Sequence, residues 1–308
     1  MKGQILKALR ECDDHISGET LSHQLGISRV SVWKHIRSLK KAGYVLEASR
    51  KGYRLVSSPD LLLPCEFPHL EQRIHYFPQI GSTMDAAREL AKKGAPEGTI
   101  VIAEVQTRGR GRLTRDWLSP GGGIYFTLIL RPRMSPAYAP RINLMAGIAV
   151  AVTIRQLFGL KAELKWPNDV LIEGKKVCGI LAEMDAETDV VNFVNVGIGI
   201  NANNSVARLE KTATSLKDVL RREISRKDFL RALLVEIEQR LPLLMKADLL
   251  KEWRRLSATL NRKVRVMSLG EEVIGEAVDI DATGALVLKG RDGSLRTVLV
   301  GDCIHLRR

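Results

Sequence analysis

A short arginine-rich segment holds the side chains best suited to chemistry in this chain of 308 residues. The segment QTRGRGRLTRDW, residues 106–117, contains four arginines, two glycines and one tryptophan. The planar guanidinium fork of arginine holds two phosphate or carboxylate oxygens together, and glycine lets backbone N–H groups approach the same anion. The indole offers a flat face to a purine. The segment therefore indicates an anion-binding loop, although a solvated basic loop or a nucleic-acid contact has a similar composition.

The overall charge and the remaining motifs narrow the class of protein. The net charge is +13, which favours partners such as nucleic acid or nucleotide phosphates. No GxxxxGK[ST] motif is present, so the chain is not a P-loop protein, and GIGIN (197–201) has too few glycines for a dinucleotide fingerprint. The four cysteines form no CxxC pair and the six histidines no HxxxH, which predicts reduced thiols and no structural metal.

The sequence also predicts a cytoplasmic protein that has no membrane partner. The first residues, MKGQILKALRECDD, have helical apolar spacing and acidic residues directly afterwards, unlike a signal peptide. The most apolar run, LMAGIAVAV at 144–152, is about half of a membrane span.

Residues 1–58 are predicted to form a winged helix-turn-helix domain that binds DNA. Three short helices, with a glycine turn at Gly26, precede a hairpin whose tip is at 49–52. The third helix begins after Ser28 and carries an apolar stripe of Val32, Ile36 and Leu39. Basic residues on its other side and on the hairpin are the predicted DNA contacts: Arg29, Lys34, Arg37, Lys41, Arg50 and Lys51. The alternative is a solvated helical face. The segment SSPDLLLP (57–64) then indicates a boundary.

Residues 66–255 are predicted to form an α+β domain with a mixed sheet and helices. Segments 98–106, 124–132 and 189–201 have the composition of buried strands, and 141–158 that of a buried helix. Segment 162–184 has the pattern of a hairpin. Ser225 and Asp228 form a capping box for another helix. Residues 262–308 alternate and turn in the manner of a small β-barrel domain.

Five segments occur in an order that resembles the biotin protein ligases. They are GSTMDAA (81–87), GRGRLTRDW (109–117), KWPNDV (165–170), KVCGILAE (176–183) and GIGIN (197–201). With a winged helix in front of them, the chain is similar to the bifunctional members, which are biotin ligase and biotin operon repressor in one chain. The resemblance covers nearly the whole sequence, and it implies that the C-terminal domain is an SH3-like barrel.

The resemblance implies two activities. One is the ATP-dependent attachment of biotin, through biotinyl-5′-adenylate and with Mg²⁺, to a lysine of a biotin carboxyl carrier domain of acetyl-CoA carboxylase or a related carboxylase. The other is repression of biotin synthesis genes at operator DNA, with the adenylate as corepressor of a homodimer.

The resemblance also implies the roles of individual residues. The catalytic residues would be Lys176, Arg112 and Asp169. The biotin-binding residues would be Ser82, Thr83, Met84, Gln106, Arg110, Gly111, Arg112, Lys176, Gly179 and Gly199. The nucleotide-binding residues would be Arg110, Arg112, Arg115, Trp117, Asn168, Lys176 and Asn201, with the indole of Trp117 stacked on adenine.

Some positions depart from the family, and some alternatives stay open. Met84 stands where members often have Asn, and Leu113 and Thr114 stand where many have Arg and Gly. Asp169 has the alternative of simply pairing with Lys165 or Lys176. A lipoate ligase uses the same adenylate chemistry, and the remaining alternatives are a biotin-responsive repressor without transferase activity and a ligase whose winged helix is vestigial.

Overall fold

The computed structural model describes residues 1–113, 115–188, 190–206, 210–268 and 271–306. The predicted turn at Gly270, the departure at Thr114 and the first residue of the predicted strand 189–201 lie outside them. The chain divides into two compact units, Met1–Tyr76 and Phe77–Arg308.

The first unit begins with the three helices that the sequence predicts. They are α1 (Lys2–Arg10), α2 (Gly18–Leu25) and α3 (Arg29–Lys41). Ser17 and Ser28 cap α2 and α3, because each hydroxyl accepts a hydrogen bond from a backbone N–H three residues later. Gly26 ends α2 with a φ of 63°, a left-handed conformation that glycine adopts without strain.

The third helix and the wing also follow the predicted pattern. Val32, Ile36 and Leu39 of α3 are buried in the core of this unit. The wing consists of β1 (Val45–Ser49) and β2 (Gly52–Ser57), an antiparallel pair in which Ser49 lies opposite Gly52. Arg50 and Lys51 therefore form the tip.

The first compact unit continues past the predicted domain end at residue 58, as far as Tyr76. A short 3₁₀ turn at Pro64–Glu66 places Glu66 against the helical core. The buried Glu66 carboxylate accepts a hydrogen bond of 2.6 Å from the Tyr44 hydroxyl and two from Arg10 at 2.9 Å. A buried carboxylate with charged and hydroxyl donors holds this segment in place.

A seven-stranded sheet forms the centre of the second unit. Its strands are β3 (Ile74–Ile80), β4 (Ile100–Gln106), β5 (Ile124–Leu130), β6 (Ala162–Lys165), β7 (Asp169–Ile172), β8 (Lys175–Glu187) and β9 (Val190–Ile200). They lie in the order β3-β4-β5-β9-β8-β7-β6, and the pairings from β4 to β6 are antiparallel. The predicted hairpin at 162–184, with its tip at 173–175, is present as β7 and β8, which pair antiparallel around Glu173 and Gly174, and the start of that segment forms a further strand, β6. Pro167 has no N–H for a ladder, and it turns the chain between β6 and β7.

The described part of the second unit also contains five α-helices, and the first, second and last of them contact strands of this sheet. The five helices are α4 (Thr83–Lys92), α5 (Pro140–Phe158), α6 (Leu216–Leu220), α7 (Arg226–Arg240) and α8 (Ala247–Leu256). The predicted cap of α7 is confirmed, because Ser225 Oγ accepts a hydrogen bond from the Asp228 N–H. The segment Pro136–Phe158, which contains α5, is long and apolar enough to cross a membrane, but its window is 67% buried against protein, as in a core helix.

The C-terminal part is a five-stranded antiparallel sheet. Its strands are β10 (Arg262–Ser268), β11 (Glu271–Ile280), β12 (Leu286–Lys289), β13 (Leu295–Val298) and β14 (Asp302–His305), in the order β13-β12-β11-β10-β14. Gly284 and Gly293 turn the chain with φ values of 92° and 80°, as their places between predicted strands indicate. Trp166 donates its indole N–H to the Gly284 carbonyl, which joins this sheet to the β6–β7 turn.

Candidate functional site

Three glycines on neighbouring strands form the floor of a cleft in the second unit. Gly179 of β8 lies opposite Gly199 of β9, and Gly197 lies opposite Leu181. Directly opposite residues of an antiparallel pair project to the same face, so this face has a strip without side chains. The sequence predicted close approach at Gly179 and Gly199 and missed Gly197, although the period of two in GIG was the available signal.

Two side chains lie over this floor. A Cβ atom added to Gly197 would be 2.6 Å from Met84 Sδ, and one added to Gly199 would be 2.3 Å from Trp117 Nε1. Such distances exclude any side chain at Gly197 and Gly199 unless the side chains of Met84 and Trp117 move. The indole of Trp117 lies on the glycine strip and thus inside the cleft. Its stacking on adenine stays a prediction.

A neutral polar cluster at Thr83 and Gln106 contributes to the lining of the cleft. Gln106 Oε1 accepts hydrogen bonds from the Thr83 backbone N–H at 2.8 Å and from the Thr83 hydroxyl at 3.0 Å. Gln106 Nε2 donates to Ser119 Oγ, and the Thr127 hydroxyl donates to Thr83 Oγ1. Uncharged donors and acceptors in alternation suit a ureido group, which has two N–H groups and one carbonyl.

Two of the predicted ligand residues lie outside the lining of the cleft. Ser82 is buried and caps α4, where its hydroxyl accepts a hydrogen bond from the Met84 N–H. Asn201 is buried below the floor, and its Oδ1 accepts a hydrogen bond from Asn204. Both side chains therefore support the residues that line the cleft.

A lysine and a carboxylate also line the cleft and form an ion pair. Lys176 Nζ lies 2.8 Å from Asp169 Oδ1, and the two side chains are 26% and 15% exposed. The ammonium also lies 5.1 Å from the centre of the Trp117 ring, within range of a cation–π contact. Asp169 thus pairs with Lys176, as one of the alternatives predicted, and this pairing holds the ammonium inside the cleft.

Arg112 lies beside this pair. Its Nη1 donates to the Gly301 carbonyl at 3.0 Å and to Asn168 Oδ1 at 3.3 Å. Burial lowers the pKa of Arg112, and the carboxylates of Asp302 and Asp169 oppose that shift. The guanidinium stays charged, because the pKa of arginine lies far above neutrality. Half-buried positive charge is therefore fixed next to Lys176.

The next arginine of the loop contacts the C-terminal domain. Arg115 Nη2 donates to Asp302 Oδ2 at 2.6 Å. Burial raises the pKa of the Asp302 carboxyl, but the hydrogen bond and the charge of Arg115 outweigh it and leave the pKa below its ordinary value. Sequence reasoning missed Asp302, because its approach to the loop depends on the packing of a distant domain.

The cleft that these groups line encloses about 930 Å³, part of it open to solvent. It brings together most of the predicted residues: Thr83, Met84, Gln106, Arg110, Gly111, Arg112, Arg115, Trp117, Asn168, Asp169, Lys176, Gly179 and Gly199. It also contains residues that the sequence did not single out: Phe126, Leu181, Gly197, Glu210 and Asp302. Among the described residues, no group of three His, Cys, Asp or Glu side chains forms a metal cluster.

The first unit presents a basic surface. All six predicted DNA contacts, Arg29, Lys34, Arg37, Lys41, Arg50 and Lys51, are exposed. Arg37 lies over the ring of Trp33 at 5.4 Å, and Trp33 is 49% exposed. A concave surface lies between α3 and the wing and is lined in part by Arg29, Trp33 and Arg50. Helix α3 and the wing thus present exposed positive charge on the same unit, which is typical of a DNA-binding surface.

Comparison with known proteins agrees with this arrangement. Residues 2–54 match the HTH domain, residues 76–201 match the biotin/lipoate A/B protein ligase family, and residues 259–306 match the biotin protein ligase C-terminal domain. The chain is 38% identical over 296 residues to the bifunctional ligase/repressor BirA of Bacillus subtilis, covering 91% of each chain. The chain belongs to the bifunctional ligase/repressor family. It is also 32% identical over 308 residues to the Escherichia coli member, covering 94% of this chain and 92% of that one.

A solved structure from the wider biotin ligase group is similar to about three quarters of this chain. The biotin protein ligase from Aquifex aeolicus in complex with biotin and ATP has a TM-score of 0.66 and 27% identity, covering 76% of this chain and 99% of that chain. As a member of the bifunctional ligase/repressor family, this chain is a biotin protein ligase with an N-terminal helix-turn-helix domain. Recognition of the family from its five motifs is confirmed, and so is the α+β fold with a C-terminal β-rich domain.

Proposed function

We propose that this chain attaches biotin to a lysine of a biotin carboxyl carrier domain and, with its first domain, represses biotin synthesis genes. One observation supports the proposed ligase activity. A neutral polar cluster at Thr83 and Gln106 and a fixed positive pair at Lys176 and Arg112 line the same glycine-floored cleft. Biotin has a neutral ureido ring at one end and a carboxylate at the other, and this cleft matches both.

The first step activates the carboxylate. A carboxylate oxygen of biotin attacks the α-phosphorus of ATP, the bond to the β-phosphate oxygen breaks, and pyrophosphate leaves, which gives biotinyl-5′-adenylate. This step brings an anion to a polyanion, so it requires positive charge that is in place before the reaction begins. Lys176 and Arg112 supply that charge, and the carboxylate of Asp169 holds the lysine in position.

The second step transfers the acyl group. The neutral ε-amine of the acceptor lysine attacks the carbonyl carbon of the adenylate, AMP leaves, and an amide forms. A lysine ammonium cannot attack, so the amine must lose a proton first. In this step Lys176 and Arg112 stabilise the phosphate of the departing AMP.

The residues of the cleft also fit Mg²⁺. Asp169 Oδ1 is buried and, apart from its ion pair with Lys176, has no hydrogen-bond donor among the described residues. Magnesium in nucleotide sites is usually held by one or two carboxylates together with the substrate phosphates, and Asp169 is the candidate here. When bound, the ion would neutralise charge on the leaving pyrophosphate.

For the repressor half, support comes from the exposed basic residues of α3 and the wing. One such domain contacts about half of a palindromic site, so we propose that the adenylate-bound chain pairs into a homodimer on operator DNA. While acceptor protein is plentiful, the adenylate is consumed. When acceptor is exhausted, the adenylate persists as corepressor. Both activities place the protein in the cytoplasm.

Incubation of the chain with Mg-ATP and labelled biotin tests the first step of the ligase half, with release of pyrophosphate as the readout. Competition between biotin and lipoate separates the biotin ligase from a lipoate ligase, because both use an adenylate. Stronger competition by lipoate would overturn the substrate assignment. For the repressor half, operator titrations with and without biotin plus ATP should give different affinities, and equal affinities would overturn it.

A further inference from the structure

Arg110 of the arginine-rich loop is bound to protein carboxylates. Its Nη1 donates to Asp85 Oδ1 at 2.9 Å, and its Nη2 donates to Glu183 Oε1. The second oxygen of Glu183 accepts a hydrogen bond from Arg88. These four side chains, here called the loop latch, form a chain of ion pairs with alternating sign.

The loop latch joins three segments that line the cleft. Asp85 and Arg88 lie one turn apart on α4, which begins directly after the Ser82 cap. Glu183 lies on β8, the strand that also carries Lys176 and Gly179. The guanidinium of Arg110 therefore connects the loop both with helix α4 and with strand β8.

Fixing Arg110 also fixes the part of the loop that carries Arg112. Arg110 and Asp116 face each other in an isolated antiparallel bridge, and the Gly111 N–H donates to the Arg115 carbonyl at 2.7 Å. Trp117 N–H donates in turn to the Gly109 carbonyl at 2.8 Å. Because these backbone bonds cross the loop, its two arms move together.

We propose that Glu183, with Asp85, is a positioning residue that holds Arg110 and so keeps the loop closed over bound adenylate. The proposal rests on the proposed ligase function and changes one expectation from the sequence: the side chain of Arg110 contributes to ligand retention through protein carboxylates. Arg112 and Lys176 remain the cations that face the ligand.

The geometry also indicates how much the loss of the Glu183 charge should speed the release of adenylate. Isolated exposed ion pairs contribute little, but residues within one network couple more strongly. The Glu183 side chain is 23% exposed, and its carboxylate is shared by two arginines. Loss of its charge is therefore expected to speed the release of adenylate by about tenfold.

The test measures adenylate release from four proteins: wild type, Glu183→Gln, Arg110→Gln and the double variant. Each is loaded with labelled biotin and Mg-ATP, separated from free ligand, and chased with unlabelled biotin. Both single variants should release adenylate about tenfold faster, and Glu183→Gln should keep the single-turnover rate of adenylation within about threefold of wild type. The double variant should release it no faster than the faster single variant, because both changes break the same latch.

Three further variants separate positioning from loss of charge or structure. Arg88→Gln leaves the bond between Glu183 and Arg110 in place and should release adenylate at nearly the wild-type rate. Glu187→Gln removes an exposed carboxylate at the end of the same strand and should have no effect. Arg110→Lys keeps the charge without the fork and should be intermediate. Thermal unfolding shows whether each variant is folded, and Asp85→Asn replaces Glu183→Gln if the latter is not.

Two results would overturn the inference. One is a folded Glu183→Gln variant that retains adenylate as wild type does. The other is additive effects in the double variant, which would mean that Arg110 contacts the ligand independently. A wild-type chain that forms no adenylate would instead contradict the proposed function itself.

Discussion

Replacing Lys176 by alanine should abolish most of the adenylation activity. Its ammonium lies 2.8 Å from Asp169 Oδ1 and is held in the cleft beside Arg112. Loss of one donor aimed at developing transition-state charge costs about 10²–10³ in rate, or about 3–4 kcal/mol. The Asp169 carboxylate would also lose its partner and repel the incoming triphosphate, so the upper end of that range is expected.

Single-turnover adenylation with α-labelled ATP measures this rate without interference from product release. Lys175→Ala is the matched control, because it removes the neighbouring exposed lysine of the same strand. A Lys176→Ala enzyme within about threefold of wild type would refute the role of this lysine as a transition-state charge donor.

Three further predictions follow from the site and the first domain. Gly199→Ala should raise the Kd for biotin by about tenfold or more, because a Cβ would lie 2.3 Å from Trp117 Nε1; calorimetric titration of a folded variant with biotin checks this. Asp302→Asn should lower the melting temperature by about 1–2 °C at neutral pH. Since the pairing with Arg115 holds the pKa of Asp302 below its ordinary value, this difference should persist above about pH 4 and disappear as the pH falls through the lowered pKa. Arg37→Ala should reduce the slope of log DNA affinity against log salt by about one, as titrations at several salt concentrations would show. An unchanged slope would mean that Arg37 makes no phosphate contact.

Much of the fold could be predicted from local signals in the sequence. Helix α3 could be predicted from the cap at Ser28 and the apolar stripe of Val32, Ile36 and Leu39. The turn before it could be predicted from Gly26. Caps, turns and periodicity depend on neighbours in the chain, so they can be recognised in the sequence. The hairpin predicted at 162–184 is present as β7 and β8, and the separate strand β6 was missed because its four residues are set apart only by the turn at Pro167. The buried residues of helix α8 lie about one turn apart, so its sequence contains the apolar periodicity of a helix, although this helix was not predicted.

The candidate site was predicted less completely. Its charged residues could be named from motifs, since arginines and lysines close to glycines in sequence indicate anion binding. The contacts of Arg112 and Arg115 with Gly301 and Asp302 join positions nearly two hundred residues apart and depend on domain packing. The bonds of Arg110 with carboxylates on α4 and β8 likewise have no local sequence signature.

The most direct test of the central claim is the mass of an acceptor after incubation with the chain, biotin and Mg-ATP. The acceptor is a purified biotin carboxyl carrier domain, and a variant in which its target lysine is replaced by arginine is the control. We expect the mass of the acceptor to increase by one biotinyl group and the mass of the control to stay unchanged, with one AMP formed for each acceptor modified. An unmodified acceptor, together with an active chain by the adenylation assay, would contradict the claim that this protein transfers biotin to a carrier lysine.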